Sequence, residues 1–237
     1  MREHNEDAFL LDDELRLYVV ADGVGGHNAG EVASGLAVRS VHREAQALAQ
    51  AFAGFDAGDM ELRRALIGAV PRLIHNASDA VFRHGYEHTE CQGMATTAVV
   101  FMATGRNAFI SHAGDSRAYL LRGDQFRQLT EDHTLVQKLV KEGQLTEQAA
   151  AEHPQRNVII RSVGISPGVE CDTLYIDVRP SDMFLICSDG LTDMVSDAEI
   201  HELALRYRDD ALVDALIQRA NARGGRDNIT VLLLEVK

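Results

Sequence analysis

Three observations predict an α+β protein of layered helices and antiparallel strands. Helix-like and strand-like segments come in blocks, not in strict β-α-β alternation. The stretch 95–130 is a series of short β-like runs, "ATTAVVFMA", "NAFISHAG", "SRAYLLR" and "QFRQLT", separated by "TGRN", "GDS" and "GDQ". Apolar residues recur at three- and four-residue spacing in the segments on either side of it. The chain has 237 residues, four prolines and no low-complexity tract, which predicts one domain over 1–237.

In order, "LRLYVVAD" reads as a buried strand ending at Asp22. Residues 31 to about 52 read as one helix, with Val38, Val41, Ala45, Leu48 and Phe52 on its apolar stripe. Asp59 caps a second helix whose inner face is Leu62, Leu66, Ala69 and Leu73, and Pro71 should kink or split it. The runs of 95–130 read as one antiparallel meander. "TLVQKLVKEG" is helical and stopped by Gly143, and "QLTEQAAAEHPQ" is a short helix capped by Thr146. "DTLYIDV" and "DMFLICSD" read as a strand pair. Ser196 opens a capping box, a last helix runs over about 210–224, and "ITVLLLEV" is the closing strand.

Composition excludes several roles. The net charge is −13, which argues against tracking a nucleic-acid backbone and against anionic membrane surfaces. Cys91, Cys171 and Cys187 are an odd set without CxxC spacing, so neither a disulfide framework nor a zinc site is expected. No run approaches the roughly 18 apolar residues of a spanning helix, and "MREHNED" is no signal peptide. A cytoplasmic location is the expectation.

Four aspartates flank strands: Asp22 after "LYVVA", Asp115 after "FISHAG", Asp189 after "MFLICS" and Asp227 before "NITV". Any one of them reads as a turn residue, since Asp-Gly is a favoured turn dipeptide. Together, on one rim, they would repel one another and raise their pKa values, and a divalent cation removes that conflict. All-oxygen ligands favour Mg²⁺ or Mn²⁺ over zinc. The glycine-rich stretch "GVGGHNAG" lacks the Gly-Lys-Ser/Thr ending of a P-loop, and Asn28 stands where a dinucleotide fingerprint has its third glycine. No D-x-D-x-T is present.

The ordered set "R-x-x-NED" (from Arg2), "ADGVGGHNAG", "GDSR", "DHT", "SDGLTD" and "RDNITV" resembles the type 2C metal-dependent Ser/Thr protein phosphatases in their compact bacterial form. The resemblance spans nearly the whole chain. It implies a four-layer αββα sandwich, two mostly antiparallel sheets between helix pairs, with a dinuclear Mn²⁺ or Mg²⁺ centre at one edge. It assigns Asp22 as the bridging carboxylate, the Gly23 carbonyl and Glu6 to the first metal and its water shell, and Asp189 and Asp227 to the second. Asp7 would orient the attacking water, Asp115 and Asp193 would serve a weaker third ion, and Arg2 would grip the phosphate. A metal-bridging water or hydroxide would attack phosphorus in line.

Two departures accompany the resemblance. Relatives usually carry a further strand before the arginine, so an upstream extension is expected to improve substrate affinity. Some relatives carry His directly after the first Asp-Gly, where this chain has Val24; His27 is the candidate leaving-group acid, a backbone-bonded loop histidine being the alternative. Residues of about 143–161 correspond to the family's flap, or are a plain connecting helix; Arg161 is expected in an ion pair, with reach to the substrate phosphate as the alternative. His112 lies in a strand, core or half-exposed, and His133 has no assigned role; His42, His75, His84, His88, His153 and His201 read as surface residues. The expected partners are phosphorylated Ser/Thr proteins and an opposing kinase, and the expected state is a monomer. The alternatives are a weakly active or non-catalytic phosphoprotein-binding relative, and a metal hydrolase of small phosphoesters.

Overall fold

A computed structural model describes residues 4–24 and 29–237. Strand β1 (Asp7–Asp12) forms a hairpin with β2 (Leu17–Val24), which continues two residues past Asp22. The period of two is plain in β2: Leu17, Val19 and Ala21 face helices, while Val20 faces the second sheet.

Helix α1 (Gly30–Ala45) buries Val38, Val41 and Ala45 as the stripe requires. The single helix expected over 31–52 is interrupted. A 3₁₀ turn over Gln46–Leu48 separates α1 from α2 (Ala49–Ala53), after which Phe52 packs edge-on against Phe109, ring centroids 5.3 Å apart. Helix α3 (Met60–Glu87) starts at Asp59, whose carboxylate accepts the N–H groups of Glu61 and Leu62. Pro71 does not split it. Leu66, Ala69 and Val70 before the proline and Leu73, Ile74 and Ala77 after it are all buried. At about 1.5–3 kcal/mol for each large apolar side chain, that burial outweighs the roughly 3 kcal/mol of an internal proline.

Strands β3 (Ala95–Thr96), β4 (Ala98–Thr104), β5 (Asn107–Ala113), β6 (Arg117–Arg122) and β7 (Gln125–Gln128) follow. They do not form one meander. The hairpin β4–β5 joins the first sheet and β6–β7 the second, so the chain crosses between sheets at 114–116. After α4 (Leu135–Lys141) and α5 (Glu147–Ala151) come β8 (Asp172–Asp177) and β9 (Met183–Cys187). The pairing expected between these two strands is absent: β8 pairs with β5, packing Tyr175 on Phe109, and β9, buried at every residue, pairs with β6 and β10. A five-residue strand buried on both faces belongs at a sheet centre. Helices α6 (Asp189–Thr192), α7 (Asp197–Arg206) and α8 (Asp209–Ala222) precede β10 (Val231–Glu235). The Ser196–Glu199 capping box is formed.

The strand order is β1-β2-β4-β5-β8, with β3 on the end of β2, and β10-β9-β6-β7, all antiparallel. Three cores result. One lies between α1, α3 and the first sheet, one between the sheets, and one between the second sheet and α7 and α8. This is the αββα sandwich. His201 is part of its packing, stacked on Phe126 at 5.5 Å, and not a plain surface residue.

Candidate metal centre

The β1–β2 register sets Asp7 directly opposite Asp22. Directly opposed residues in an antiparallel pair point to the same face, so two carboxylates meet at one rim. Asp7 is further fixed: its Oδ2 accepts the hydroxyls of Ser188 at 2.8 Å and Thr230 at 2.7 Å. Ser188 and Thr230 also bond each other: the Ser188 N–H donates to the Thr230 carbonyl, and the Thr230 N–H donates to the Ser188 hydroxyl. This tie draws the end of β9 and the approach to β10 against β1, across the two sheets. Asp7 Oδ1 is buried and has no hydrogen-bond partner among the described residues.

Asp189 follows Ser188 and is the first residue of α6, not the last of a strand. Gly190 explains how Asp227 arrives beside it: a Cβ there would lie 1.9 Å from the Asn228 carbonyl oxygen, so only glycine admits that backbone. Gly23 is equally constrained, since a Cβ would fall 2.4 Å from the Gly30 oxygen and 2.6 Å from the Glu6 oxygen. Its N–H donates to the Glu6 carbonyl, which also accepts the Ser34 hydroxyl. Glu6 donates its own N–H to Asn228. Asp115 sits in the crossing between sheets. Asp193 accepts Asn157 Nδ2 at 3.2 Å and pairs with Arg156 at 3.5 Å.

The carboxylates sense one another. Asp22 is 8 % exposed and Asp115 7 %. Burial first, then the charges of Asp189 and Asp7, push the Asp22 carboxyl well above the usual range. Burial, then Asp189 and Asp132, push Asp115 up to about 8. Asp189 is pushed up to about 6, chiefly by burial; a hydrogen bond with Asp22 opposes this, and the charges of Asp193, Asp227 and Asp7 add to it. Burial raises Asp7 as well, against the two hydroxyl bonds that favour its charged form. A cluster of buried and half-buried carboxylates that repel one another, with an orphaned carboxylate oxygen among the described residues, fits hard divalent cations held by oxygen.

Arg2 and His27, singled out in the sequence, lie outside the described residues. Glu6, Asp7, Asp22, Gly23, Asp115, Asp189, Asp193 and Asp227 all lie in the segments that meet around this rim. Sequence reasoning missed the hydroxyls that hold it: Ser188, Thr230, Thr96, Thr97 and Ser116. Their residue types carry no signal, although each stands within three residues of a flagged aspartate or in the "ATT" run.

A second cluster lies behind the Asp115 turn. His112, opposite Asp172 on the β5–β8 pair, stacks on His133 at 4.7 Å with planes 12° apart. These two rings and Asp172 bring possible ligand atoms within 4.8 Å of one another. Parallel rings keep their lone pairs in parallel planes, which do not converge on one ion, and Arg161 already supplies a cation to Asp172 at 3.1 Å. His133 instead buttresses the turn: its Nδ1 accepts the Gly114 N–H and its own N–H donates to the Gly114 carbonyl. Burial lowers both imidazoles, His112 and His133.

The chain matches the sequence profile of a family described as protein phosphatase 2C over residues 2–233. It is 38% identical over 239 residues to a serine/threonine phosphatase, stp, of Listeria innocua, covering 99% of this chain and 91% of that one. It is 37% identical to the serine/threonine protein phosphatase PstP of Mycobacterium tuberculosis, covering all of this chain and 43% of PstP. A crystal structure of the PstP catalytic domain in complex with two manganese ions superposes with a TM-score of 0.83 at 33% identity, over 100% of this chain and 94% of that one.

Proposed function

The chain belongs to the protein phosphatase 2C family, and we propose that it is a metal-dependent protein-serine/threonine phosphatase that hydrolyses phosphomonoesters by in-line attack of water. The observation that carries this reading is the carboxylate rim centred on buried Asp22, where carboxyls repel one another and Asp7 Oδ1 has no hydrogen-bond partner among the described residues.

In this reading two divalent ions would be held at the rim, Asp22 common to both, the Gly23 carbonyl and Glu6 serving the first, and Asp189 and Asp227 the second. Asp115 and Asp193 serve a weaker third ion. Bound there, Mn²⁺ or Mg²⁺ lowers the pKa of a shared water towards neutrality and offsets charge on the phosphoryl oxygens. Asp7 orients the attacking water and takes its proton. The hydroxyls of Ser188 and Thr230 immobilise one of its oxygens, and Oδ1 stays available as the acceptor. Arg2 grips two phosphate oxygens with its planar fork. His27 protonates the departing serine or threonine oxygen. Residues of about 143–161 act as a flap beside the site, latched to Asp193 through Arg156 and Asn157.

The substrates are phosphorylated Ser/Thr proteins, opposed by a Ser/Thr kinase. Among the described residues no helix is long and apolar enough to cross a membrane. A cytoplasmic monomer is part of the proposal, and light scattering on the purified chain tests the oligomeric state. The functional test is hydrolysis of a phosphothreonine peptide by wild type with Mn²⁺, wild type with excess chelator, and Asp22→Asn with Mn²⁺. Activity in the first arm alone is the expected result. Activity that survives chelator would overturn the metal mechanism.

A further inference from the structure

Thr97 stands at the break between β3 and β4, fully buried, and touches both halves of the carboxylate rim. Its hydroxyl accepts the Asp22 N–H at 3.0 Å, and its own N–H donates to the Asp22 carbonyl at 2.8 Å. The same hydroxyl shares a hydrogen bond of 2.7 Å with Ser116, the residue after Asp115. Its carbon side packs against the crossing turn so closely that a Cβ on Gly114 would come within 2.6 Å of Thr97 Cβ and Cγ2.

Asp22 and Asp115 come from different parts of the fold, one from β2 in the first sheet and one from the crossing into the second. Their charges oppose being close together. A flexible connection would let them drift apart, and the neighbouring ions assigned to each would lose the spacing that holds them. One side chain prevents that drift. The Thr97 oxygen is a single atom bonded to the Asp22 backbone on one side and to the Asp115 turn on the other. His133 braces the same turn from behind, so the turn cannot pivot around the Ser116 bond.

We propose that Thr97 is a positioning residue that sets the separation of Asp22 from Asp115, and so the affinity with which the rim holds divalent cations. This rests on the reading of both aspartates as ligands. It goes beyond that reading by naming a side chain that touches neither ion nor substrate.

The test is Mn²⁺ binding to metal-stripped protein, read from the electron paramagnetic resonance signal of free Mn²⁺, with melting in chelator and peptide hydrolysis alongside. Thr97→Val keeps the shape and removes the hydroxyl; Thr97→Ser keeps the hydroxyl. Thr97→Val is expected to weaken Mn²⁺ binding about tenfold or more, the usual scale for a group that orients a ligand, and Thr97→Ser to restore most of it. Ser116→Ala breaks the far half of the link and is expected to weaken only the loosest ion. A packing role alone would lower melting in chelator and leave Mn²⁺ binding unchanged, which overturns the proposal. So does a Thr97→Ser protein as weak as Thr97→Val. Should Thr97→Val fail to fold, Ser116→Ala binding Mn²⁺ as wild type does would overturn it. A wild-type protein that takes up no Mn²⁺, or an Asp22→Asn protein that takes up as much, overturns the ligand assignment itself, and is read before any Thr97 variant is compared.

Discussion

Asp182 and Asp189 stand at the two ends of β9, both folded into the protein, and burial acts on them in opposite company. Asp182, 1 % exposed, receives the Arg122 fork at 2.8 and 2.7 Å and the Arg179 N–H at 2.8 Å. Although burial pushes its carboxyl up, these donors together hold it below the usual carboxylate range. Asp189 shares its surroundings with Asp22, Asp193, Asp227 and Asp7, and is pushed up to about 6. One end of the strand carries an ion pair that is complete within the chain. The other end gathers charge of one sign and is complete only with something added. What separates the two carboxylates is their neighbours: donors surround Asp182, and like charges surround Asp189.

The contrast is tested most severely by Asp22→Asn. Turnover of a phosphothreonine peptide should fall by roughly a thousandfold or more, since metal charge stabilisation supplies several kcal/mol of the barrier reduction. The same variant in chelator should melt higher than wild type, because a self-repelling charge is gone. A variant that lost both activity and metal-free stability would break the contrast. Arg122→Ala is the mirror experiment. It strands Asp182 without its cation and should cost about 2–4 kcal/mol in urea unfolding, with turnover by the surviving folded protein unchanged.

The pH dependence of stability should also differ in sign between the two ends. Asp115 and Asp189 have folded pKa values above the ordinary 3.8, at about 8 and about 6. The folded state then binds protons more tightly than the unfolded one, so metal-free stability falls as pH rises from about 4 to about 8. Saturating Mn²⁺ should abolish that decline in a melting series. Asp182, with its folded pKa depressed, contributes stability above the ordinary carboxylate pKa that is lost on acidification through its lower folded value; Arg122→Ala should flatten the acid limb. The smallest effect belongs to Arg156→Ala. Its ion pair with Asp193 is half-exposed, and removing it should change urea stability by less than about 0.5 kcal/mol.

Much of this was legible from residue order alone. The apolar stripe of α1, the Asp59 and Thr146 caps and the Ser196 box follow from local chemistry, and the strand-end aspartates pointed to one rim. What could not be read was which strand pairs with which. Nothing in "FISHAGDSRAYLL" says that the chain changes sheets at Gly114, or that "DTLYIDV" pairs with β5 and leaves "DMFLICSD" to the other sheet, because a two-residue period marks a strand without naming its neighbour. Pro71 misled for a related reason: its local penalty is visible in sequence, and the buried helix face that offsets it is not. The hydroxyls of Ser188, Thr230 and Thr97 escaped because serine and threonine occur wherever a turn needs a short polar group.

Asp7 is held by Ser188, 181 residues further along, and by Thr230, 223 residues further along. On a ribosome Asp7 is made 223 residues before Thr230. A nascent chain can therefore form the β1–β2 hairpin and bring Asp22 opposite Asp7 long before the rim is fixed. The two sheets must be docked before the centre has its full geometry. The centre is therefore fixed by a contact between two distant parts of the chain, and its geometry waits on Thr230 reaching Asp7.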